Sequence, residues 1–254
     1  MQRLRVRLAR RGRLRFTSHR DVQRALERAI RRAEVPIAFS AGFNPHPRIS
    51  YAGAAPTGAA SEAEYFELAL NRRVDPGLLR LSLDAAMPAG LDVVDVVEAG
   101  PGSLPDRLEA SVWLIELPGV AEAELESAVE VFLAADQVEV SRMTKNGLRT
   151  FDARQAVLSA VTGAQAVALQ EGAPGADAGG VEQSVTAGCA ILRLVVRHTT
   201  PAVRPDDVLT ALRTQASLAP PSPPRMTRLA QGRLEPSSAT VADPLAPDRD
   251  AGGA

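Results

Sequence analysis

TSHRDVQRALERAIRRAEVPIAFSAGFNPHPRISY, residues 17–51, is the stretch on which the fold turns. Ser18 followed by Asp21 has the spacing of a capping box, with Asp in place of the usual Glu or Gln. Val22, Ala25, Leu26, Ala29, Ile30 and Ala33 then recur at helical period and make one apolar face. Pro36 limits how far that helix runs. At about 100° per residue, Arg20, Arg24, Arg28 and Arg31 fall on the opposite face. Glu27 and Glu34 lie to one side of them, so this face is either a solvated surface or an anion-binding one. The segment after the helix is stiffened by Gly42, Pro45 and Pro47. It brings Asn44, His46 and Arg48 close together just before a strand.

Leu4, Val6 and Leu8 alternate with Arg3, Arg5 and Arg7, which predicts a half-buried strand with an arginine-bearing outer face. Gly12 marks a turn, beyond which Leu14 and Phe16 continue the alternation with Arg13 and Arg15. Strands follow over 48–52 and 64–70. Asp75-Pro76 opens a helix to about Met87, and 91–97 is a last strand. The order β-α-β-β-α-β is the ferredoxin-like pattern, so residues 1–100 are expected to form one such domain. After a Gly/Pro linker a looser series begins. It has a strand over 111–117 with Trp113, a helix over 121–135, and a hairpin around Asn146-Gly147 that carries Lys145, Arg149, Asp152 and Arg154. An Ala/Gly-rich insertion follows at 163–188, expected to be flexible, then a strand over 190–196 ahead of His198 and a helix from Pro205. The expected class is therefore α+β, two tandem ferredoxin-like units with the second (108–217) degenerate. The Pro-rich tail, 218–254, is expected to be largely unordered, with Met226–Leu234 the one part able to dock.

Bulk charge names no partner, because the net charge of the 254 residues is −1. Its distribution is more informative. Residues 1–50 carry thirteen arginines against Asp21, Glu27 and Glu34, an excess of ten positive charges that the remainder more than balances. Such asymmetry suggests an anionic partner for the basic part. A single cysteine, Cys189, excludes an intramolecular disulfide and a cysteine-ligated iron–sulfur cluster within the chain. No apolar run is long enough to span a bilayer, and no signal-peptide h-region follows the basic N-terminus. A cytoplasmic protein is expected.

Three motifs carry a resemblance: Arg-Phe-x-Ser-His-x-Asp at 15–21, Gly-Phe-Asn-Pro-His-Pro-Arg at 42–48, and Gly-x-x-Ser-Glu-x-Glu at 58–64. Together with RMTKNGLRTFDAR and LVVRHTTPAVRPDDVL further on, they resemble the radical-SAM-associated proteins of bacteria, a domain of unknown function fused to, or encoded beside, B12-binding radical SAM proteins. Arg20 departs from the Leu that is common there and adds a charge at the helix start. The resemblance implies that the iron–sulfur cluster and cobalamin sit on the partner and that this chain holds no cofactor. It also implies structured RNA, such as tRNA or rRNA, as a further partner.

Three readings remain open at this level. In the first, the chain is an accessory subunit that contacts RNA through Arg13, Arg15, His19, Arg20, Arg24, Arg28, Arg31, Asn44, His46, Arg48, Lys145 and Arg149, with structured RNA suiting it better than single strands. In the second, the same arginines dock on an acidic protein surface. In the third, His19 and His46 act as acid and base in metal-independent RNA cleavage, with Arg48 on the phosphate. The residues favour binding over catalysis.

Overall fold

A computed structural model describes residues 1–144, 147–169, 188–235 and 240–252. In chain order the first elements are β1 Gln2–Arg10, α1 His19–Arg32, β2 Ile49–Ala52, β3 Ala60–Leu70, α2 Pro76–Ala86, β4 Leu91–Glu98, β5 Ala110–Pro118, α3 Glu122–Ala134 and β6 Glu139–Thr144. They continue with β7 Gly147–Asp152, β8 Val157–Thr162, α4 Gly163–Ala168, β9 Cys189–Arg197, α5 Pro205–Ala216, β10 Arg225–Gly232, β11 Leu234–Glu235, β12 Thr240–Val241 and α6 Ala246–Gly252. The class is α+β with mostly antiparallel sheet. No described helix is long and apolar enough to cross a membrane. The chain divides into two compact units, Met1–Leu108 together with Asp243–Ala254, and Glu109–Ala242.

In the first unit the strands lie in the order β4-β1-β3-β2, each pair antiparallel. Leu4, Val6 and Leu8 of β1 and Phe66, Leu68 and Leu70 of β3 face α1 and α2. Val22, Leu26, Ile30, Leu79 and Leu83 of those helices close this core. The periodicity of α1 accounts for its packing: Val22, Ala25, Leu26, Ala29 and Ile30 are all buried. Asp75 caps α2 by accepting from the Leu78 N–H at 2.8 Å.

Three expectations for this unit are corrected. Of the arginine face of β1, Arg3 looks outward as expected, but Arg5 and Arg7 are only 1% and 4% exposed, and Arg10 at the strand end 2%. A second apolar layer of Tyr65, Val97, Leu104, Leu108 and Leu245 covers that face, and period-two alternation cannot distinguish water from such a layer. Next, Gly12–Phe16 is a 3-10 helix, not a continuing strand. Gly12 takes φ +55° and Leu14 N–H donates to Arg11 O, which turns the chain. Finally, the end of the chain is not an unordered tail. Helix α6 docks on this unit through Asp248, whose carboxylate accepts from Arg5 Nη1 (2.8 and 2.9 Å), from Arg107 (2.8 and 3.1 Å) and from the Gly100 N–H (2.9 Å). Composition alone predicts disorder there because it cannot see a single acid that completes a buried cluster of arginines.

In the second unit the strands lie in the order β10-β5-β9-β8, again antiparallel. Leu125, Val129 and Phe132 of α3 and Val208, Ala211 and Leu212 of α5 are buried, and the two helices pack on each other. The β6–β7 hairpin forms its own ladder. Met226–Gly232 falls in β10, which pairs with β5, so this part of the expected tail is a strand of the unit's sheet. Helix α4 occupies the start of the expected insertion. Residues 170–187 of that insertion, like Lys145, lie outside the described residues.

Candidate functional site

Local structure decides which basic residues remain available. Arg5 is paired with Asp248 and Glu67, and Arg11 with Glu62 and Asp92. Arg10 donates to the carbonyls of Thr17, Ala55, Pro56 and Ala59, tying the 55–59 loop to the entry of α1. Much of the N-terminal charge excess is therefore architectural. Among the described residues, Arg13, Arg20, Arg28 and Arg31 are exposed and have no carboxylate partner, while Arg24 makes one loose pair with Asp21 at 3.5 Å. Arg20, Arg24, Arg28 and Arg31 follow one another at i+4, i+4 and i+3. They form a ridge about 16 Å long on the outer side of α1.

The start of α1 is less suited to an anion than its dipole suggests. Ser18 Oγ accepts from the Asp21 N–H at 3.2 Å and donates to Asp21 Oδ2 at 2.7 Å. The capping box thus closes through the hydroxyl, and Asp21 leaves a negative charge at the positive end of the helix. Arg15 is half-buried with its guanidinium 4.8 Å from the Phe16 ring centroid.

The two histidines do not come together. His19 meets Tyr51 edge to face with ring centroids 5.2 Å apart, and its Nε2 is 3.0 Å from Gln23 Nε2. Beside them is a small recess lined by Leu8, Val22, Glu64 and Phe66 with room for about one water. Tyr51 is opposite Phe66 in the β2–β3 ladder. His46 belongs to the loop at the other end of β2. There Ser40 N–H donates to His46 O (2.9 Å), His46 N–H donates to Ser40 Oγ (3.0 Å), Arg48 N–H donates to Ala38 O (2.8 Å), and Ala69 N–H donates to Arg48 O (3.1 Å). From Arg48 to Tyr51 the extended chain rises about 10 Å, which separates the His46 loop from the His19–Tyr51 contact. The Pro-rich segment does not fold back over the start of α1: its bonds to Ala38 and Ala69 hold it beyond the other end of β2 from Tyr51 and His19.

The hydroxyl of Tyr51 is buried without a hydrogen-bond partner among the described residues. Burial raises its pKa, and Glu27 adds to the rise. An unsatisfied buried hydroxyl costs about 1–3 kcal/mol. Tyr51→Phe is therefore expected to leave the fold intact and raise stability by about 1 kcal/mol in urea unfolding. A clear loss of stability would show that the hydroxyl has a partner.

The remaining candidates separate as well. Arg149 is exposed in the β6–β7 hairpin, opposite Arg142. Asp152 and Arg154 hold the base of that hairpin through Val138 N–H, Leu133 O and Val157 O. His198 Nε2 is 2.6 Å from Ser111 Oγ at the end of β9. In the 58–64 motif, Glu62 pairs with Arg11 and Glu64 accepts from the Ala55 N–H. These acids support the loops around the site and are not free to ligate.

At sequence level Phe16, Phe39, Phe43 and Tyr51 are the aromatic residues near the basic segment, an interleaving too poor to favour base stacking. Phe16, Phe39 and Phe43 are all exposed, and Phe43, at the tip of the 40–46 loop, is completely so. The signal was present in Gly-Phe-Asn: a phenylalanine between two turn-forming residues has no apolar neighbour to bury it.

The region thus presents an exposed, largely unpaired row of arginines on α1 and a pinned loop bearing Phe43, Asn44 and His46. The chain belongs to the family described as "Uncharacterized protein conserved in bacteria" (DUF2344), whose model matches residues 3–205. No curated protein matches it.

Proposed function

We propose that this chain is a cytoplasmic accessory subunit that binds structured RNA, tRNA or rRNA, through the outer face of α1 and the 40–48 loop, in company with a B12-binding radical SAM protein. The observation that carries the RNA reading is the ridge Arg20, Arg24, Arg28 and Arg31: four guanidinium groups along about 16 Å of helix with one loose carboxylate contact among them. Such a row suits successive phosphates, and Arg13 and Arg48 extend the basic surface at the two ends of the helix. The radical SAM partner rests on the three motifs, and on this reading it holds the cluster and the cobalamin. His19 is assigned to packing on Tyr51, so the chain is read as binding without cleaving.

We further read both units as ferredoxin-like. The strand orders β4-β1-β3-β2 and β10-β5-β9-β8, each with two helices as crossovers, support this. The second unit is degenerate because the β6–β7 hairpin and the segment after α4 interrupt it.

Affinity purification of the chain from its native host, with bound nucleic acid and protein identified together, tests the proposal. RNA is expected to be recovered along with a partner that absorbs in the visible range as an iron–sulfur and cobalamin protein. Recovery of that partner without RNA, both before and after nuclease treatment, would assign the arginines to protein docking.

A further inference from the structure

We infer that the Ser40–Pro47 loop is a stacking element for an unpaired base, so the RNA held on α1 must present at least one flipped or single-stranded nucleotide at the helix's C-terminal end. This rests on the RNA reading and narrows it, because the arginine ridge alone would accept a fully paired duplex. Phe43 is fully exposed, and Phe39 at the foot of the same loop is half-exposed. Gly42, at φ +128°, lets the backbone turn at the tip, which leaves the ring beyond reach of the core. The loop is nevertheless held: both polar links between Ser40 and His46 are made, Phe39 bridges Pro47, and Arg48 bonds Ala38. An aromatic ring on a preorganised loop loses little conformational entropy when it stacks.

The surroundings favour a nucleotide over an acidic or apolar protein segment. Asn44 and His46 follow Phe43 in the same loop, both exposed, with side chains that make no hydrogen bond among the described residues. Each offers a donor and an acceptor to a base edge. No acidic residue occurs between Glu34 and Glu62. Arg48 is exposed at the foot of the loop, its guanidinium has no carboxylate partner among the described residues, and it is available to a phosphate. The loop also follows directly on the end of α1 where Arg31 and Arg32 lie. A strand running along the ridge from Arg20 to Arg31 is thus led toward Phe43. Ring, base-edge donors and phosphate-binding cations in one place are what recognition of unpaired nucleotides requires.

The test compares a fluorescein-labelled RNA hairpin having an unpaired loop with the fully paired duplex of its stem, by anisotropy at fixed salt. Phe43→Ala and Phe43→Leu are each expected to weaken hairpin binding about tenfold or more and to leave duplex binding unchanged. Phe43→Trp is expected to keep hairpin affinity and to show fluorescence quenching, absent in the wild type, as the hairpin is added. Circular dichroism should be the same for all three variants, since the ring contributes nothing to the core. If Phe43→Leu binds like the wild type while Phe43→Ala does not, the ring makes an apolar contact and base stacking is wrong. If Phe43→Ala binds the hairpin normally while Arg24→Ala with Arg28→Ala weakens it, this inference fails and the RNA reading stands. If the wild type binds neither RNA, both fail.

Discussion

Asp248→Ala is expected to destabilise the unit that contains α6 by about 3–5 kcal/mol, the cost of breaking a buried ion pair from one side. Arg5 is 1% exposed, and the substitution leaves its Nη1 without an acceptor. Arg107 loses both of its bonds to the carboxylate, and the Gly100 N–H loses its acceptor. Glu67 still reaches Arg5 Nε at 3.2 Å and softens the loss without cancelling it. Denaturant unfolding followed by hydrogen exchange at β1 amides measures the effect. The same carboxylate gives a pH dependence of definite sign. Burial pushes its pKa up, but the bonds from Arg107, Arg5 and the Gly100 N–H outweigh that, and the net shift is downward. A depressed carboxyl pKa stabilises the fold above the unfolded value of about 3.9. That contribution is lost as pH falls from there through the folded value. Asp248→Ala should therefore flatten the acid limb of the stability curve. A variant that unfolds on the wild-type acid limb would show that the carboxylate is not the group titrating.

The second large effect concerns binding. Arg24→Ala with Arg28→Ala is expected to weaken RNA binding roughly 10- to 100-fold near 0.1 M salt, about one decade for each phosphate contact removed. Thermal stability should be almost unchanged, because both side chains are exposed and the one pair lost, Arg24–Asp21, is exposed too. Gel shift or anisotropy alongside a melting curve separates these quantities. A double variant with wild-type RNA affinity that no longer co-purifies with the radical SAM partner would move the ridge to the docking surface.

How much of this was legible in the sequence depends on what each residue faces. Helix α1 was readable end to end, because Ser18, the apolar stripe and Pro36 are local signals. Apart from the 3-10 turn at Gly12–Phe16, the order of elements through Glu98 was readable for the same reason. The burial of Arg5, Arg7 and Arg10 was not: their partners are carbonyls and acids such as Asp248, brought close only by the fold. Nor was the place of Arg225–Gly232, whose Pro-rich approach suggests an unordered tail although seven of its eight residues pair with β5. At the candidate site, the exposure of Arg20, Arg24, Arg28 and Arg31 followed from helical period. The separation of His19 from His46 depended on where β2 pairs, and the full exposure of Phe43 on a loop bent away from the core.

The salt dependence of RNA binding tests the central claim most directly. For the wild type, log K against log salt should fall with a slope steeper than about −3, as several arginines displace counterions. Arg24→Ala with Arg28→Ala should flatten that slope by roughly two units. A wild-type slope near zero, or a double variant whose slope matches the wild type, would contradict the assignment of the α1 ridge to RNA phosphates.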